Sequence, residues 1–110
     1  MKINDLVHIS FTTAIKKGWH DEKRSIPELL CLIHSEISEA LEEHRNGNLP
    51  NDIYYDKESN KPEGIPIELA DVIIRIADLC GLYDIDLENA IKVKAEYNSK
   101  RPYRHGNKKC

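Results

Sequence analysis

The stretch Ile67 to Gly81 reads IELADVIIRIADLCG, and its polar residues occupy one ridge. Glu68, Asp71, Arg75 and Asp78 follow one another at spacings of three, four and three. At about 100° per residue they fall within an arc of roughly 80° on an α-helix. The rest of the circumference is apolar, and a helix apolar over most of its surface is buried over most of its surface. Charge held there is costly unless it is paired or bound to a metal. The simplest alternative is that the ridge is the solvent-facing strip of a core helix.

Composition bounds the fold around this helix. A chain of 110 residues, 40% hydrophobic and 32% charged, has room for one domain spanning 1–110 with a modest core. Oligomerisation would add buried area that so small a domain lacks. The net charge of −3 weighs against nucleic acid as the main partner. No apolar run approaches the ~20 residues of a membrane span. The N-terminus MKIND lacks the long apolar core of a signal peptide. Cys31, Cys80 and Cys110 are odd in number and form no C-x-x-C pair, which suits a reducing cytoplasm, with Cys31 and Cys80 as inert helix residues.

Four helices and one long loop are expected, an all-α chain. The first runs from about Asp5 to Lys17, with Asn4 as N-cap, Gly18 as stop, and Val7, Phe11, Ala14 and Ile15 facing inward. Ser25-Ile26-Pro27-Glu28 is a capping box that starts the second. Its predicted core stripe is Ile26, Leu29, Leu30, Ile33, Ile37, Ala40 and Leu41, and Asn46-Gly47 ends it. Residues 47–66 form a long polar loop with three prolines, in which Tyr54-Tyr55 marks a short ordered piece. A loop of that length suggests a mobile flap or a subunit contact. The ridge helix is third. The fourth starts at Asp86 as N-cap and runs to about Arg101, and a basic tail, 102–110, follows it. No alternating strand pattern stands out. Short connections make helices one and two, and three and four, antiparallel neighbours.

The second helix carries Glu36 and Glu39, which flank its core stripe on a ridge with Leu32 and Glu43. If helices two and three pack side by side, Glu36, Glu39, Glu68 and Asp71 converge. Four carboxylates together repel, and a hard divalent cation, Mg²⁺ or Mn²⁺, relieves the repulsion through oxygen ligands. A single E-x-x-E is weak, since solvated helix faces are full of it, and Glu42 and Glu43 are read as such a face. The fourth helix continues its apolar face (Leu87, Ala90, Ile91) with Lys94, Asn98 and Arg101. These side chains either snorkel and fray into solvent or face the acids across a phosphate chain. Trp19 either caps the core at a helix corner or stacks on a nucleobase.

Glu36-x-x-Glu39, 28 intervening residues and Glu68-x-x-Asp71 resemble the signature of the all-α nucleoside triphosphate pyrophosphatases, in particular the MazG-like branch. The likeness extends to the contexts HSEISEA and ELADV and to Lys94-x-x-x-Asn98-x-x-Arg101-Pro102-Tyr103-x-His105-Gly106. It covers most of the chain from Ser25 onward. Many members carry a glutamate where this chain has Ser35, which bears on the number of metal ions and the identity of the general base. The resemblance implies a four-helix MazG-like bundle completed by oligomerisation to a homodimer or homotetramer, with sites near subunit interfaces. It implies Mg²⁺-dependent hydrolysis of (d)NTP to (d)NMP and pyrophosphate. Metal would be held by Glu36, Glu39, Glu68 and Asp71, and phosphates by Lys94, Asn98 and Arg101. Two other classes compete: a non-catalytic helical adaptor using the charged ridges as an interface, and a nucleic-acid module working through the basic tail.

Overall fold

Two of the helices begin where a side chain, that of Ser25 or Asp86, accepts from a first-turn N–H. The structure, a computed structural model, describes residues 1–103; the predicted tail from Arg104 onward lies outside the described residues. The elements are α1 (Ile3–Lys16), α2 (Ile26–Arg45), β1 (Tyr54–Tyr55), β2 (Pro62–Glu63), α3 (Ile65–Leu82) and α4 (Leu87–Ser99). The chain is predominantly helical, as expected, and no helix among the described residues is long and apolar enough to cross a membrane.

The caps correct two expectations in detail. Helix α1 starts at Ile3 rather than Asp5, because the Asp5 carboxylate accepts from the backbone N–H of Lys2 (3.1 Å) and Asn4 is left inside the first turn. In α2 the Ser25 hydroxyl accepts from the Glu28 N–H (3.2 Å), but the Glu28 carboxylate turns to Arg24 (3.4 Å) instead of closing a reciprocal box. The Asp86 carboxylate caps α4 by accepting from the Asn89 N–H at 3.1 Å. Gly18, at φ +81°, ends α1 in the left-handed region as its sequence position suggests.

Residues 47–66 are not a structureless flap. Tyr54 pairs with Glu63 and Tyr55 with Pro62 in a short antiparallel hairpin. Asp56 closes its tip by accepting from the N–H and hydroxyl of Ser59 (2.9 and 2.8 Å). The pairs are too short to show alternation in sequence, which is why no strand pattern was legible.

Helix α3 is the centre of the molecule. Both α1 and α2 pack on it, and α4 packs on α1. The α1–α3 crossing is so close that a Cβ on Gly81 would lie 2.5 Å from Phe11 Cβ. The buried apolar residues are few and mostly small: Ala14, Leu29, Ala40, Val72, Ala77 and Cys80.

The orientation of α2 and α3 bears out the predicted α2 stripe only in part. Within one chain the ridge of α3 faces its neighbours: Glu68 is buried, while Asp71, Arg75 and Asp78 are half-buried. Leu69 and Ile73 lie about half exposed on the other side (50% and 52%), and Ile74, beside the ridge, is 46% exposed. In α2, Glu36 is buried with Leu29 and Ala40, whereas Ile26, Leu30, Ile37 and Leu41 are open to solvent. Ile15 in α1 is likewise exposed. Ala90 and Ile91 do not form an inner face, for no residue of α4 is buried. Cys31 is exposed on α2, and Cys80 is buried.

These faces leave the chain more open than a closed monomer of its size. The accessible surface is 8752 Å², against the ~6,200 Å² expected for a closed monomer of this mass. The radius of gyration is 16.7 Å, against ~13 Å for a compact chain of this length.

Candidate functional site

The packing of α2 on α3 brings together carboxylates 32 positions apart in sequence, Glu36 and Glu68. One oxygen from each of Glu36, Glu39 and Glu68 lies within 4.8 Å of the others. Asp71 stands one turn along α3 from Glu68, close enough for the Glu36 and Glu39 charges to act on it. The three-residue spacing in each helix is what puts both members of a pair on one side.

The electrostatics are those of crowded, partly desolvated acid groups. Burial, then the neighbouring Glu39, Asp71 and Glu36 carboxylates, push Glu68 up from 4.5 to about 7. Burial and Glu36 also push Asp71 up, while Arg75 and Lys61 pull against that shift. The Glu68 Oε2 atom is buried and has no hydrogen-bond partner. An ionised Glu39 offers it only another acceptor; a proton on Glu68 could be shared between the two. Such an oxygen calls for a proton or a cation.

Glu43, the third acid of the α2 ridge, is held elsewhere. The Tyr54 hydroxyl donates to both of its oxygens (2.9 and 2.8 Å), and Asn48 Nδ2 donates to Oε2 at 2.7 Å. The bond from Tyr54 to Glu43, chiefly, pushes the Tyr54 hydroxyl up to about 12. Glu43 is therefore not the solvated residue expected from sequence; it anchors the hairpin beside the acid cluster. Glu42 remains in solvent with Arg45 (3.2 Å).

From the acids a groove of about 550 Å³ runs between α1 and α3. Glu36, Asp71 and Arg75 line it at one end, and Trp19, His20 and Asp78 line it further on. Arg75 Nε donates to Glu36 Oε1 at 2.7 Å. His20 Nε2 and Asp78 Oδ1 are 2.7 Å apart, and the His20 ring lies 5.7 Å from that of Phe11. Trp19 is 54% exposed with the Arg24 guanidinium 5.7 Å above its ring. It stands at the groove wall and does not cap the core.

The basic row of α4 lies apart from the acids within the chain. Lys94 and Arg101 gather on the Tyr97 ring (5.0 and 5.5 Å), Asn98 is exposed, and none of the three lines the groove. Sequence reasoning passed over Arg75, Lys61 and the His20–Asp78 pair. Arg75 had a signal, as the one cation on a ridge of carboxylates; Lys61 had none, because a hairpin places it. No protein-family model, curated protein or solved structure matches this chain. Its chemistry is therefore read from the side chains themselves.

The raised Glu68 value makes stability depend on pH with a definite sign. Between pH 4.5 and about 7 the folded chain holds a proton that the unfolded chain releases. Its contribution is complete below pH 4.5 and is lost as pH rises toward 7. In a chelating buffer, thermal unfolding from pH 5 to pH 8 is expected to show a loss of about 2 kcal/mol from this group. Glu68→Gln should flatten that slope; an unchanged slope would remove Glu68 as its source.

Proposed function

We propose that this protein is a Mg²⁺-dependent nucleoside triphosphate pyrophosphohydrolase, converting a (d)NTP to the (d)NMP and pyrophosphate. The observation that carries the reading is the buried Glu68 Oε2 without a partner, facing a set of carboxylates whose oxygens fall within 4.8 Å. The donor set fits a hard divalent cation: it is all oxygen, anionic and clustered, with neither His nor Cys in it. Glu36, Glu39 and Glu68 would hold the cation, with Asp71 beside them. When bound, it would supply charge neutralisation and Lewis-acid polarisation of phosphoryl oxygens.

The remaining work falls to the chain's own residues. One of the carboxylates would accept a proton from an attacking water; Glu39 is the most exposed member of the cluster, which supports it in that role. The α3 ridge extends ten residues from Glu68 to Asp78, a rise of about 15 Å. That span suits a triphosphate at the acid end and a nucleobase at the Trp19 end, where the indole face is open for stacking.

Assembly belongs to the same reading. The half-exposed Ile and Leu residues of α2 and α3 and the excess of roughly 2,500 Å² over a closed monomer match what an obligate homo-oligomer buries per subunit. Lys94, Asn98 and Arg101 enter as phosphate donors only in such an assembly, because within one chain they do not reach the groove.

A panel of ribo- and deoxyribonucleoside triphosphates with Mg²⁺, assayed for pyrophosphate release, tests the proposal. Release from at least one nucleotide, lost in Glu36→Gln and in EDTA, is expected. Folded protein that releases none, with an unfolding temperature indifferent to Mg²⁺, favours a non-catalytic adaptor that uses the apolar faces.

A further inference from the structure

Arg75 occupies a place that pairing with Glu36 alone does not account for. It is the only cation on the α3 ridge, one turn beyond Asp71, and it lines the groove beside Glu36 and Asp71. Its bond to Glu36 Oε1 uses Nε. A guanidinium carries donors on two further nitrogens in a fixed fork. The Glu36 side chain is only 10% exposed, whereas that of Arg75 is 36% exposed, so the carboxylate is locked inside and the guanidinium has one side in the groove.

We infer that Arg75 is a phosphate-binding residue of this chain, holding Glu36 with Nε while its terminal nitrogens take oxygens of the pyrophosphate portion of a nucleotide. This rests on the pyrophosphatase reading and supplies what that reading lacks within one subunit, a guanidinium that lines the groove beside the acids. The chemistry suits the role. Arginine remains charged at working pH, and its fork matches two phosphate oxygens as a lysine does not. A carboxylate on Nε fixes the plane of the fork before substrate arrives, which limits the order lost on binding. With Oε1 accepting from Arg75, Glu36 would still have Oε2 to offer a cation.

The test is binding of inorganic pyrophosphate, measured by calorimetry on the full chain, with Mg²⁺ alone followed by thermal shift. Arg75→Gln is expected to weaken pyrophosphate binding in saturating Mg²⁺ by about 10–100-fold. Its response to Mg²⁺ alone should stay within about threefold of the parent. Arg75→Lys retains the charge near Glu36 but loses the fork. It should fold like the parent and still bind pyrophosphate roughly tenfold more weakly. Unchanged pyrophosphate affinity in both variants overturns the inference, as does a fall in Mg²⁺ response that matches the fall in pyrophosphate affinity. A parent that binds pyrophosphate through Arg75 without any Mg²⁺ response would overturn the cation reading and leave Arg75 standing; a parent that binds neither overturns both.

Discussion

Glu68→Gln is expected to lower kcat/KM for Mg²⁺-dependent pyrophosphate release by at least about 10³-fold, or roughly 4 kcal/mol of transition-state stabilisation. The same change should raise the unfolding temperature of the metal-free protein at pH 8. The ionised carboxylate sits buried against Glu39, Asp71 and Glu36 and costs the folded state free energy that a neutral amide does not. Relief of about 1–2 kcal/mol corresponds to roughly 5–10 °C in a domain of this size. At pH 5 the parent carboxyl is already protonated in the folded state, so the two proteins should melt together. Opposite movements of stability and activity mark a group retained for function at a structural cost. The result to look for is calorimetry in EDTA at both pH values beside a pyrophosphate assay. A variant that is destabilised at pH 8 would mean that Glu68 supports the fold.

The second large effect concerns assembly. Ile73→Asp places a charge on the outer side of α3, where Ile73 is 52% exposed in the single chain. On a free surface such a change falls within about 0.5 kcal/mol. If α3 is covered by another copy, the buried unpaired carboxylate costs several kcal/mol and the subunits separate. We expect the parent to sediment as a dimer or larger, and Ile73→Asp to appear as a monomer of much reduced stability and little activity. Ile37→Asp, on the corresponding side of α2, should behave alike. A parent that sediments as a stable monomer at micromolar concentration would dispose of the assembled form. The exposed faces would then call for a different protein partner.

Helix existence was legible because it rests on local chemistry. Ser25 and Asp86 cap the helices they were expected to cap, and Gly18 terminates α1 in the conformation that only a residue without Cβ adopts cheaply. The i, i+3 spacing of Glu36 with Glu39 and of Glu68 with Asp71 likewise fixes which side of each helix the pairs share. Glu43 shows the limit. Its solvated character was a fair inference from the acids around it, but Tyr54 and Asn48 come from a hairpin and a helix exit that no helical periodicity describes.

Propensity and periodicity within a dozen residues sufficed for four helices, the caps at Ser25 and Asp86, and the grouping of acids on two ridges. Long-range packing set which way those helices turn: the carboxylate sides of α2 and α3 meet, Arg75 reaches Glu36, and several Ile and Leu residues of both helices face outward. A periodic pattern shows that a helix has two different faces and does not say what each one meets. In a chain this small, where an apolar face can be buried by a neighbouring helix or by another protein molecule, the choice depends on contacts between residues far apart in sequence.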